Sequence, residues 1–300
     1  MCSGLAAPFV AGRASKIDCL ILSLRRVTNP TLAELAPSAV ERRVIRVRRG
    51  MRTPPMIAAI LAGGRVDGEL AAELGTSVKA LGRIGRGTFL DAAIDAARVY
   101  AVERIVVIGG REVREHCMGT VDAVIDDSDD GRENLRRAFA EAGDAPLLLL
   151  ASDLPFVTAT SIAKFVSAAG GADVAMPLAD AAEYRAAYPG AATHDTNLAG
   201  ERVVNGSVFY FASGAAGRVL TIAQQLFAAR KSALGMASLL GARRIVRYAL
   251  GRLRVEDVET RAFERLGLRA RAIRRAGPDL CYDIDSLADF RYAVAHAAQS

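Results

Sequence analysis

Tryptophan is missing from this 300-residue chain, and histidine and cysteine are scarce, with three and four copies. Cys2, Cys19, Cys117 and Cys281 lie far apart, with no C-x-x-C pair and no Cys/His spacing. Neither a zinc site nor a disulfide framework is expected. The thiols read instead as reduced and mostly buried in a cytoplasmic protein. His116, His194 and His296 are scattered and read as structural or surface residues. No Ser/His/Asp set accompanies them, so covalent hydrolase chemistry has no candidate. No apolar run reaches the roughly 18 residues of a membrane span.

A surplus of acid is also lacking. The formal charge is +6, which invites a nucleic-acid partner until the charge is located. Residues 1–55 hold ten Lys/Arg against three Asp/Glu, whereas the remainder is near balance, 29 against 30. The basic character belongs to the N-terminal stretch, and no nucleic acid is expected at the core. Pro54-Pro55 separate that stretch from Met56-Ile-Ala-Ala-Ile-Leu61, which opens a clean strand. Residues 1–55 therefore read as a basic, flexible extension, or as residues preceding the true start. Their Arg-rich, acid-poor composition also superficially suits a transit peptide. Residues 56–300 read as one domain, with ample apolar material for its core.

From Met56 onward, short apolar runs alternate with helical periodicity. Strands are expected at Ile57–Leu61, Glu103–Ile108, Val121–Ile125, Pro146–Ala151 and Asp173–Met176. Helices are expected at Thr88–Tyr100, Glu133–Ala142 and Thr158–Ala169. That alternation predicts an α/β fold with a mainly parallel sheet, whose ligands sit beyond the carboxyl ends of the strands. Val203–Phe211 reads as a longer strand bending at Asn205-Gly206. Residues 216–250 and Glu256–Leu266 read as helices, a short strand is placed around Leu280, and Leu287–Ala298 closes the chain. The 215–280 lobe is basic, with 14 Lys/Arg against five Asp/Glu.

Four motifs carry chemistry. Leu61-Ala-Gly-Gly64 ends a strand in glycines, whose backbone lets a phosphate approach closely. Lys79, in Lys79-Ala-Leu81 before Gly87-Thr-Phe-Leu90, would reach triphosphate oxygens as a point charge. Asp153, in Ser152-Asp-Leu-Pro155, emerges from a strand too apolar to be exposed and suits a Mg2+ ligand. Thr158 is the better-placed cap for the following helix. Asp283 and Asp285 alternate along an extended segment and so share one side of it. Asp285 is the first choice for the second metal carboxylate and Asp283 the second, although Asp285-Ser286 would also cap the last helix. Together these residues predict Mg2+-dependent attack of an acceptor on the α-phosphorus of a nucleoside triphosphate, with loss of pyrophosphate.

The set resembles the MobA-like NTP transferase family over about Met56 to Ala298. The resemblance implies a three-layer, Rossmann-like nucleotidyltransferase fold, with 215–280 as a helical, basic, acceptor-side insertion. It assigns the nucleotide to Leu61, Ala62, Gly63, Gly64 and Lys79, and the metal to Asp153 and Asp285. Gly131-Arg-Glu-Asn134 sits where the family often places a loop near the base, which makes Asn134 a nucleotide-binding candidate. Gly206-Ser-Val-Phe209 resembles the family's Gly-Asn-Val-Phe segment beside the acceptor, with Ser207 in place of Asn. Where the family commonly carries Arg-Met-Gly after the glycines, this chain has Arg65-Val-Asp-Gly68. Lys79 also arrives later than in compact members.

The leading expectation is transfer to a small phosphorylated acceptor whose phosphate Arg230 and Lys231 would hold; a molybdenum cofactor is one candidate. A nucleotide-sugar-dependent glycosyltransferase would share the sheet and the metal carboxylates, but the glycine loop and Lys79 suit a triphosphate better. A non-catalytic nucleotide sensor, or a protein lying on anionic lipid through the Arg-studded 216–250 segment, is the third reading. That segment more simply serves as core helix. The sequence names neither the base, the acceptor nor the oligomeric state.

Overall fold

The computed structural model describes residues 55–229 and 241–298. The expected 1–55 extension lies outside them but for its last residue. In chain order the elements are β1 (Met56–Leu61), α1 (Gly68–Leu74), a 3-10 turn at Lys79–Leu81, β2 (Arg83–Ile84), β3 (Gly87–Thr88), α2 (Phe89–Ala97), β4 (Val102–Ile108), α3 (Arg111–His116), β5 (Ala123–Ile125), α4 (Gly131–Ala142) and β6 (Leu147–Ala151). There follow α5 (Ala159–Ala168), β7 (Val174–Asp180), α6 (Ala181–Ala187), β8 (Thr196–Leu198), β9 (Glu201–Asn205), β10 (Val208–Phe211), α7 (Ala216–Ala229), α8 (Ala242–Ala249), α9 (Val255–Leu266), β11 (Ala270–Arg274), a 3-10 turn at Pro278–Cys281 and α10 (Leu287–Ala297).

Continuous apolar runs put β1 and β6 at the centre, because only a strand covered on both faces can be apolar throughout. β1 pairs in parallel with β4 and β6, aligning Ile60 with Val107 and Leu150, and β4 pairs in parallel with β5. Alternate side chains feed two layers. Ala58, Ile60, Leu148 and Leu150 pack against Leu90 and Ile94 of α2 and Ile162 and Phe165 of α5. Ile57, Ala59, Leu147 and Leu149 face Phe139 of α4 and Val219 of α7. The result is the expected three-layer α/β fold. Its helix starts are set where the sequence places capping residues: Thr88 and Asp91 form a capping box, and the Thr158 hydroxyl accepts from the Ser161 N–H.

The remaining strands are mixed. β10 runs antiparallel between β6 and β7, and β9 continues along the same edge of β7 with β8 outside it. The bend expected at Asn205-Gly206 is the break between β9 and β10, where the Gly206 N–H still reaches Pro177 O at 3.0 Å. Two details differ from the sequence reading. Within 215–280, Ala270–Arg274 is a strand, parallel to β7. Around Leu280 the chain forms a 3-10 turn rather than a strand, because Pro278 at its start favours a helical first turn and has no N–H for a ladder. Among the described residues no helix is long and apolar enough to cross a membrane.

Candidate active site

Four parallel strands, β1, β4, β5 and β6, end at one edge of the sheet, and the loops leaving them are Ala62–Arg65, Gly109-Gly110, Asp126–Asp130 and Ser152–Pro155. The glycine loop is stitched down at both ends. The Ala62 N–H donates to Ile108 O at 2.8 Å, and the Lys79 N–H returns to Gly64 O at 2.9 Å. Arg65 and Val78 form an isolated antiparallel bridge. This bridge folds residues 66–78 back on themselves and delivers Lys79 over the strand edge, although it is 15 positions beyond Gly64 in sequence.

The Lys79 ammonium donates to the carboxylates of both Asp153 and Asp285, the latter at 3.3 Å. The three side chains are 16%, 13% and 28% exposed, so the cluster lies at the bottom of an opening rather than sealed in the core. Asp153 arrives on β6. The 283–285 segment is brought alongside it by the Ile284 N–H, which donates to Asp153 O at 3.1 Å. Burial disfavours charge on both Lys79 and Asp153. For Lys79 the carboxylates of Asp153 and Asp285 outweigh burial, and its pKa rises. For Asp153 burial, reinforced by Asp283 and Asp285, outweighs Lys79, and its carboxyl is pushed above the usual range.

Asp283 and Asp285 have different surroundings. Asp283 is 8% exposed and its Oδ2 accepts from the Ser207 hydroxyl at 2.9 Å. Asp285 is positioned through its backbone: its N–H donates to Asp289 Oδ2 at 3.2 Å, and the Ser286 hydroxyl donates to the same oxygen at 2.8 Å. Ser286, not Asp285, caps α10, by accepting from the Asp289 N–H. Asp285 is therefore the carboxylate turned to Lys79, alongside Asp153.

Other sequence candidates make structural contacts of their own. Asn134 Oδ1 accepts from the Ser128 N–H at 2.7 Å and its Nδ2 donates to Ser128 O at 2.8 Å, which braces the Asp126–Asp130 loop. Gly206 is packed under Leu280, with no room for a Cβ. Arg65 forms a two-pronged pair with Glu112 at 3.0 and 3.1 Å on the loop's exposed rim. The side chain of Glu112 raises the Arg65 pKa, and Arg65 in turn lowers that of Glu112. Arg230 and Lys231 lie outside the described residues.

Sequence reasoning missed Asp127. A Cβ on Gly63 would overlap its carboxylate, coming 2.8 Å from Asp127 Cβ, and a Cβ on Gly110 would lie 3.3 Å from its Oδ1. The signal was the acidic end of the third strand opposite two glycine pairs. Gly63→Ala is expected to displace Asp127 at a cost of about 1–3 kcal/mol. Gly64→Ala meets only Lys79 Cβ, at 3.9 Å, an ordinary contact. Equal melting temperatures for the two variants would contradict that difference, and Asp127→Ala should recover part of the Gly63→Ala loss.

A separate cavity of about 530 Å3 opens beside β8, lined by Glu201, Arg247, Arg254, Glu256, Asp257 and Arg274 among others. None of the motif residues line it, and Arg247 and Arg274 are already paired with Asp257 and Glu201. The motif residues converge instead at the Lys79 cluster, which is the candidate site.

Residues 58–257 match the model of the MobA-like NTP transferase domain. The chain belongs to that family. It is a nucleotidyltransferase, and the glycine loop, Lys79 and Asp153 all fall inside the matched segment. No curated protein is significantly similar to it in sequence. Among solved structures, a hypothetical transferase from Thermus thermophilus is 24% identical, with a TM-score of 0.70 over 78% of this chain and 99% of that one. CMP:2-keto-3-deoxy-manno-octonic acid synthetase complexed with CTP is 15% identical, with a TM-score of 0.50 over 82% of this chain and 99% of that one. The 4-diphosphocytidyl-2C-methyl-D-erythritol synthase of Anaerococcus prevotii is 12% identical, with a TM-score of 0.50 over 82% and 99%. At these identities the likeness is one of fold.

Proposed function

We propose that this nucleotidyltransferase moves a nucleoside monophosphate from a triphosphate to a small phosphorylated acceptor, with Mg2+, and releases pyrophosphate. The observation that carries the reading is the convergence of Lys79, Asp153 and Asp285 beside the Ala62–Arg65 loop. The donor set fits a hard divalent cation, since two carboxylates already share one positive charge, that of Lys79. Among the described residues no group of three His, Cys, Asp or Glu side chains makes a ready cage. Mg2+ is commonly held by one or two carboxylates completed by phosphate oxygens. Asp153 and Asp285 would hold the ion, which when bound neutralises charge on the phosphates.

The protein's own groups do the rest. Gly64 keeps a side chain off the loop, so a phosphate reaches its backbone N–H groups, while Gly63 leaves room for the Asp127 carboxylate. Lys79 offsets the charge that develops on departing pyrophosphate. Asp127, between Gly63 and Gly110, lies on the nucleotide side of the loop, with Asn134 bracing its segment. Ser207 holds Asp283, and Gly206 sets the spacing beneath it. In this reading 1–55 is an extension outside the catalytic domain, 215–280 is the acceptor side with Arg230 and Lys231 on the acceptor phosphate, and the enzyme is cytoplasmic. A molybdenum cofactor remains one candidate acceptor.

The test begins with CTP, GTP, ATP and UTP, each with Mg2+, in a melting screen. CTP goes first because the fold is shared with a synthetase complexed with CTP. The cognate triphosphate at a hundredfold over its Kd adds about 2.7 kcal/mol to the folded state. Candidate acceptors are then added and pyrophosphate is measured. Stabilisation by no triphosphate would sink the reading; stabilisation with no pyrophosphate from any acceptor would favour the sensor, and turnover of a nucleotide-sugar without pyrophosphate the glycosyltransferase.

A further inference from the structure

Two carboxylates facing one point in a recess, Asp153 13% and Asp285 28% exposed, repel each other and favour a compensating charge between them. In this site that charge is supplied by Lys79, whose ammonium lies on both Asp153 and Asp285. It therefore holds the place that a divalent cation on the same pair would take. An ammonium and a dication on the same pair of carboxylates repel each other and compete for lone pairs, so each weakens the other's hold. We propose that Lys79 is a resident counter-ion, which keeps Asp153 and Asp285 in place and denies them to metal until a bound triphosphate draws the ammonium away. Metal binding at this pair then follows nucleotide binding. The inference rests on the proposed metal role of Asp153 and Asp285.

The local structure suits such an exchange. Only the Lys79 side chain has to move, since its backbone is fixed by the Lys79 N–H to Gly64 O bond and by the Arg65–Val78 bridge. Its four-carbon stem is flexible and its three donors can turn to new acceptors. Its Cβ lies 3.9 Å from where a Gly64 side chain would begin, so the stem leaves directly beside the phosphate loop. A triphosphate on that loop offers several negative charges within the reach of the ammonium. Without it, the metal's apparent affinity is lowered by the small fraction of molecules in which Lys79 has left.

The experiment uses Mn2+ alone, titrated into the nucleotide-free full chain and followed by the electron paramagnetic resonance of free Mn2+, with melting curves alongside. Lys79→Met should bind Mn2+ about tenfold or more tightly than wild type, the gain expected if the ammonium occupies the pair in nine molecules of ten. It should also melt lower than wild type without metal and recover with Mn2+. The gain should vanish in Lys79→Met/Asp153→Asn. Lys79→Gln, which keeps a polar head without charge, repeats the measurement should the Met variant fold poorly. Wild-type affinity in both Lys79 variants, with Asp153→Asn still abolishing Mn2+ binding, would overturn the counter-ion role and leave the metal site standing. Failure of all of them to bind Mn2+ would overturn both.

Discussion

Asp153→Asn is expected to lower pyrophosphate release by roughly 10²–10³-fold, the order of loss seen when one preorganised charge-stabilising group is removed from an active site. The substitution keeps size and shape and removes only the charge. Asp153 is 13% exposed at the mouth of β6, so the lost charge cannot be replaced by bulk water. Lys79 still has Asp285 at 3.3 Å, and the fold around β6 is held by apolar contacts, so melting should change far less than turnover. Asp285→Asn should follow closely. Asp283→Asn should matter less to turnover and more to melting, because Asp283 is buried and committed to Ser207 rather than to the ammonium. The upward push on the Asp153 carboxyl also gives a pH signature. Protonation removes its charge, so Mn2+ binding to the nucleotide-free protein should weaken on the acid side at a higher pH than an ordinary aspartate would give. Full turnover in Asp153→Asn would remove it from the mechanism.

The candidate cluster was legible because its parts lie at places that physics marks in a sequence. Lys79 and Asp153 are 74 residues apart, and Lys79 and Asp285 are 206 apart. Yet Asp153 directly follows an apolar run that had to be central, and the glycines follow another. In a parallel sheet, strand ends of that kind share an edge. The expected bend at Asn205-Gly206 was legible for the same reason, as a glycine inside an otherwise continuous strand.

Other features left weaker marks. β11 (ARAIR) hides among basic helices, because only Ile273 on it is fully buried and the arginines at its exposed positions mask the strand period. The helix α6 begins with no loop after β7; its only flag was Asp180, whose carboxylate caps the N–H groups of Ala182 and Glu183. Asp127 sits in a run with Asp126, Asp129 and Asp130, and nothing in the run itself distinguishes the one that faces Gly63. As binding candidates Asn134 and Gly206 were marked by resemblance alone, and each also has a structural place, Asn134 bracing a loop and Gly206 packed under Leu280.

Gly206→Ala separates those two possibilities for its position and should have the largest effect on stability of any glycine change near the site. A Cβ there would overlap the backbone oxygen of Leu280 and come 2.6 Å from Pro177 Cγ. Neither can step aside as a side-chain tip would. The Ser207 N–H donates to Leu280 O at 3.0 Å, and Ala151 N–H donates to Ser207 O at 3.0 Å, so β6, β10 and the 280–285 segment are bonded through this one point. Pushing Leu280 away loosens Asp283 and Asp285 together and pulls on the strand that presents Asp153. Overpacking of this kind costs about 1–3 kcal/mol. In a domain of this size each kcal/mol lowers melting by roughly 2–4 °C. The expected result is a clear fall in melting temperature, with weaker Mn2+ and triphosphate binding because the carboxylates have shifted. If Gly206 instead served only to admit the acceptor, the alanine variant would melt like wild type, bind triphosphate normally and show only a raised acceptor KM. The close approach to Leu280 would then have to be relieved at no cost, which the fixed backbone on both sides of Gly206 opposes.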